Sequence, residues 1–155
     1  MDETFKQYVE SLHPSFERLM NVTPVSITEL PKKLPSKCIY LFSERSEHLY
    51  VGRTRKLRSR LQQHSIPAAQ HNQAVFAFKL AREATGFTEA SYTAKGSRSA
   101  LLANPLFAEA FSRAKARIRE MDLRFVEEGD PLRQALLEIY VAVVLKTPYN
   151  DFDTH

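Results

Sequence analysis

A chain of 155 residues, 43% hydrophobic and 26% charged, can bury a core as one domain, and its composition is that of an ordinary globular protein rather than a disordered one. Its single cysteine, Cys38, excludes an internal disulfide, and the longest apolar run, Ile139 to Leu145, is seven residues, too short to cross a bilayer. With a Met-Asp-Glu start that lacks a signal pattern, a cytoplasmic protein without a membrane partner is expected. The net charge of +4 is modest, but it is unevenly spread. Arg53, Arg55, Lys56, Arg58 and Arg60 form one cluster, and Arg113, Lys115, Arg117 and Arg119 form another. Such patches fit a polyanion, most simply nucleic acid, or else are solvated helix faces.

In chain order, Phe5, Tyr8, Val9, Leu12, Phe16 and Leu19 have roughly helical spacing interrupted at His13-Pro14, which predicts two short helices or one kinked helix. Asn21 to Lys37, with Pro24, Pro31 and Pro35, reads as a connecting arm. Cys38 to Phe42 and His48 to Gly52 are short strand-like runs joined by the polar residues Ser43 to Glu47, a hairpin pattern with a five-residue loop. Gly52 then frees the backbone, Thr54 is placed as an N-cap, and Leu57 and Leu61 lie one turn apart on a basic helix ending near His64. Arg60 and His64, four apart, share a face of it.

Asn72 to Ala84, closed by Gly86, predicts a further helix with a cap at each end, and Phe87 to Leu102 shows no period and reads as a loop. Asn104-Pro105 opens another helix, with Leu106, Phe107, Ala110, Phe111 and Ala114 as its apolar stripe. Ile118 to Glu127 alternates as a third strand, and Asp130-Pro131 starts a last helix, Leu132 to Leu145, apolar on nearly every side and so expected to be buried all round. Glu138 stands within it. A carboxylate there must lie at the wet rim, pair with a cation, or hold a metal.

The triplets Cys38-Ile39-Tyr40 and Tyr50-Val51-Gly52, an arginine eight residues after the second glycine, Glu138 on a later helix and Asn150 near the end together resemble the GIY-YIG nuclease superfamily over about residues 36 to 152. The first triplet opens with Cys38 where the family usually has glycine. The resemblance implies an α+β fold, a small central three-stranded antiparallel sheet flanked by helices. It divides the chain into an N-terminal helical arm (1–35) and a nuclease domain (36–155) with a helical insertion at about 66–117.

It further implies a restriction-like, metal-dependent DNA endonuclease. Tyr40, Tyr50, Arg60, His64, Glu138 and Asn150 would be the catalytic set, with Glu138 holding Mg²⁺ or Mn²⁺. Arg53, Arg55, Lys56, Arg58, Arg113, Lys115 and Arg117 would line the DNA. One carboxylate leaves a hard cation most of its waters. A phenol, which titrates near ~10 in water, needs nearby positive charge to accept a proton, and an arginine fork suits phosphate oxygens. Two cuts across a duplex would be easiest for a homodimer. Each residue also has a plainer role: sheet packing for the tyrosines, a helix C-terminal cation for His64, and a turn for Asn150. The alternatives to a restriction-like enzyme are a catalytically silent DNA-binding module on the same scaffold and a structure-specific repair nuclease.

Overall fold

The computed structural model describes residues 1–87 and 97–152. The protein is mixed α and β, with a three-stranded antiparallel sheet flanked by helices. The chain forms two compact units, 1–58 with 121–155, and 59–120.

The first unit holds the sheet, in the order β2 (Glu47–Thr54), β1 (Cys38–Glu44), β3 (Asp122–Glu127). Two helices precede it, α1 (Glu3–Glu10) and α2 (His13–Asn21), the second with Pro14 in its first turn, where the missing N–H costs nothing. Leu12 and Leu19, from the segment set apart as an arm on sequence grounds, pack with Ile39, Leu41, Val51 and Val126 of the sheet and with Leu137 and Val141 of α7 (Pro131–Leu145). This cluster defines the helix-covered face, because residues two apart on a strand point the same way. Asp130 caps α7 by accepting from the Arg133 amide.

The hairpin is tighter than its sequence suggests. β1 and β2 run on to Glu44 and Glu47, leaving a two-residue turn in which Arg45 and Ser46 both take positive φ, 53° and 66°. That is the geometry a right-twisted hairpin prefers, adopted here without the Asn-Gly or Asp-Gly signal that usually announces it. The register slips by one between Phe42 and Ser43, so that Leu49 is an extra residue on β2.

Both outer edges of the sheet are covered. Val25 exchanges two backbone hydrogen bonds with Leu123 on β3, at 2.9 and 2.7 Å. At the other end, α7 closes with Lys146 in a left-handed conformation, and the chain turns back along β2, where the Tyr149 amide donates to the Leu49 carbonyl at 3.2 Å. Edges covered in this way disfavour pairing with a strand from another chain.

The second unit contains most of α3 (Leu57–Ser65), then α4 (Val75–Thr85), α5 (Arg98–Ala103) and α6 (Pro105–Arg119). Phe78 packs on Phe107 and Phe111, with ring centroids 5.0 and 6.1 Å away, which joins α4 to α6. Asn104 caps α6 through the Leu106 and Phe107 amides, and Gly86, at φ 77°, ends α4.

Beyond the hairpin, further details of the element ends and one burial pattern differ from the sequence reading. Thr54 ends β2 instead of capping α3, its Oγ1 accepting from the Lys56 amide, and α4 begins without a side-chain cap. Ile118 belongs to the last turn of α6, so β3 starts only at Asp122. The segment read as a loop from Phe87 to Leu102 carries α5, capped by Ser97; its residues 88–96 lie outside the described residues. Finally, α7 is not buried all round, since Leu132, Ile139, Val143 and Val144 face solvent.

One close approach fixes the β1–β2 pairing. Tyr40 lies opposite Gly52, and a Cβ on that glycine would fall 2.3 Å from Tyr40 Oη and 2.4 Å from Cζ. The buried phenol ring therefore occupies the place a side chain would take. Gly52→Ala is expected to cost about 1–3 kcal/mol or more through overpacking. A lower urea midpoint at unchanged m-value would register this cost, whereas a wild-type midpoint would show that the ring is not held over Gly52.

Candidate active site

The first unit makes two groupings of the residues singled out by sequence. Tyr40 and Tyr50 share one sheet face with Phe42 and Gly52: their rings stand 6.4 Å apart, and Tyr40 meets Phe42 edge-on at 5.8 Å. Tyr40 is only 1% exposed, whereas Tyr50, on the edge strand, is half-buried. This is the face opposite the one that α7 covers.

The second grouping is Glu138 with Arg53. Glu138 projects from α7 near the end of β2, where Arg53 Nε meets its Oε2 at 3.0 Å. The carboxylate side chain is 19% exposed and the arginine 50%, which places the pair at the rim of the core. Burial raises the Glu138 pKa above the ordinary carboxylate value, and the Arg53 charge and hydrogen bond only partly offset it. Of the three outcomes expected for this acid, the structure therefore shows the wet rim and the paired cation together. Sequence spacing points to Arg53 as a DNA-lining cation and carries no sign of its bond to the acid.

Asn150 is bound to backbone. Its Oδ1 accepts from the Val51 amide at 2.9 Å and its Nδ2 donates to the Val51 carbonyl at 2.7 Å, so the side chain imitates a neighbouring strand. Both ends of the amide are committed to holding the C-terminal segment on the edge of β2.

Arg60 and His64 belong to the second unit. Arg60 Nη1 donates to Gln63 Oε1 at 3.0 Å and to the Gln73 carbonyl at 2.8 Å. His64 is fully buried beside Phe76, and burial, with Arg60 as a lesser cause, lowers its pKa well below the ordinary imidazole value. It is thus a neutral interior histidine and not the helix C-terminal cation of the plainer reading.

The two basic clusters divide between internal and external work. Lys115, expected to contact DNA, is buried: its Nζ donates to the Pro67 and Ala69 carbonyls at 2.6 and 3.0 Å and lies 4.4 Å from the Phe111 ring centroid. Its charge serves two carbonyls of the loop after α3, and burial lowers its pKa. Arg119 does the same for the Ser65 carbonyl at 2.8 Å. Arg113, by contrast, is exposed and paired with Glu109, and Arg117 is exposed. Arg55, Lys56 and Arg58 are all exposed.

Cys38, which opens the first triplet, is buried, and its thiol pKa is pushed up to about 12, first by burial and second by Glu127. It is an inert packing residue. Comparison with family models, curated proteins and solved structures returned no match, so the fold and the site stand on their own geometry.

His64 yields a pH-dependent expectation. An imidazole whose folded pKa lies below its unfolded value of 6.5 favours folding while neutral; this contribution is complete above about pH 6.5 and disappears as pH falls towards the folded value. The stability advantage of the wild type over His64→Gln should therefore shrink on acidification below about pH 6.5. Melting curves across that range check it, and a difference that stays constant counts against it.

Proposed function

We propose that the protein is a divalent-metal-dependent DNA endonuclease, with the Arg53–Glu138 pair as its working centre. The observation that carries this reading is a half-buried carboxylate of raised pKa beside a half-exposed guanidinium, at the end of the strand bearing the Tyr50-Val51-Gly52 triplet. An acid suited to a hard cation and a fork suited to phosphate oxygens are what phosphodiester hydrolysis requires side by side. The paired triplets support the same reading, since Tyr40 is the Cα partner of Gly52 and Phe42 that of Tyr50, so their co-occurrence is a matter of sheet register.

The donor set fits Mg²⁺ or Mn²⁺. Arg53 holds Glu138 Oε2, leaving Oε1 as a donor, and among the described residues no group of three His, Cys, Asp or Glu converges as a zinc site would require. Such an ion, when bound, offsets charge on the phosphate and on the leaving oxygen. Arg53, half-exposed, would exchange the carboxylate for the non-bridging phosphate oxygens, and a cation held by Glu138 would then supply the positive charge that keeps this acid ionised. Tyr50 stands on the sheet face opposite α7 and takes no step at this pair, so the proton of the attacking water passes to solvent. Tyr40 is a positioning residue that holds β2 in register through Gly52. A restriction-like role is the first choice.

A second reading, a DNA-binding module without turnover, is favoured by the burial of His64 and by the commitment of Asn150 to the Val51 backbone. Plasmid nicking with Mg²⁺, with EDTA, and with Glu138→Ala separates the two. The endonuclease should nick with Mg²⁺ only and slow by at least about 100-fold in the variant, the scale on which electrostatic stabilisation of a transition state is felt. Retention of plasmid without nicking under Mg²⁺ would assign the silent module. Nicking that survives in Glu138→Ala sinks the role of that acid.

A further inference from the structure

The Pro-rich arm before β1 carries its own lysines, and the structure ties it to the β2–α3 corner. Arg58 donates to the Pro31 and Lys32 carbonyls at 3.3 and 3.2 Å, and the Leu57 amide donates to the Ser36 carbonyl at 3.0 Å. These bonds bring residues 31–37 beside residues 53–58, two stretches that together hold Lys32, Lys33, Lys37, Arg53, Arg55, Lys56 and Arg58 and no carboxylate. Arg53 is engaged by Glu138; the other six side chains are exposed. Of the neighbouring acids, Glu128 is paired with Arg133, Glu127 borders the patch at the end of β3, and Glu29, exposed, lies on the arm two residues before Pro31.

A proline-containing arm pinned by three hydrogen bonds to its backbone presents its lysines without the ordering cost a free tail would incur. Six exposed cations held on one corner are poorly explained as packing, because they are not buried against carbonyls as Lys115 is; only Arg58 divides its guanidinium between the arm and solvent. We infer that this corner is a phosphate-backbone clamp for duplex DNA in which Lys32, Lys33 and Lys37 of the arm act together with Arg55, Lys56 and Arg58. The inference rests on the DNA substrate proposed above but not on catalysis. It assigns the arm a binding function: placing the duplex backbone against the strand end where Arg53 and Glu138 meet.

The test is the salt dependence of duplex binding in EDTA, where no cleavage can intervene, comparing the full chain with the double substitution Lys32→Gln and Lys33→Gln. Each cation withdrawn from a phosphate lowers the slope of log K against log salt by about 0.9, so the double variant should bind more weakly with a slope shallower by about 1.8. An unchanged slope, in a variant whose circular dichroism and melting match the wild type, overturns the clamp. So does a wild type that fails to bind duplex, or one that binds anionic vesicles in its place. A wild type that never nicks but shows the slope effect would sink the endonuclease reading and leave this one standing; nicking without a slope effect would do the reverse.

Discussion

The fold turns on the seat that Gly52 provides for the Tyr40 ring. With the ring over the glycine, β1 and β2 pair in a single register, and that register decides what each face carries. Tyr40, Phe42 and Tyr50 go to one face, while Ile39, Leu41 and Val51 go to the other to meet α2 and α7. A slip of one residue would exchange the faces and drive the phenol into an aliphatic core. Gly52 is needed for space and not for an unusual backbone angle, since among the described residues only Gly86 is a glycine with positive φ.

A second constraint is where the positive charge goes. Much of it serves the backbone: Lys115, Arg119 and Arg60 donate to carbonyls of the 65–73 loop, and Arg58 to those of the arm. Irregular backbone lacks partners in its own ladder, and a cation with several N–H groups satisfies it well. A basic composition is therefore ambiguous by itself. What separates the exposed cations from the structural ones is burial and what each N–H group meets.

The same reasoning applies to the acid and the imidazole. Glu138 and His64 both lie in surroundings that disfavour charge, but Glu138 keeps an arginine and a route to solvent, whereas His64 is enclosed beside Phe76. An acid at a rim can exchange partners. A buried neutral histidine mainly stabilises.

Sequence alone determined the order of the longer elements, the three antiparallel strands, the proline-led starts of α6 and α7, and the pairing of two aromatic triplets, because hydrophobic period, caps and turn residues are local signals. It did not reveal the two-residue turn at Arg45-Ser46, where non-glycine residues take positive φ, nor the burial of Lys115, nor the exposed flank of α7. It also could not say that Arg53 would meet Glu138, that Asn150 would close the edge of β2, or that an arm some twenty residues upstream would lie beside the first basic cluster. Each of those depends on which surfaces meet when distant segments pack, and residue order encodes that only through the finished tertiary arrangement.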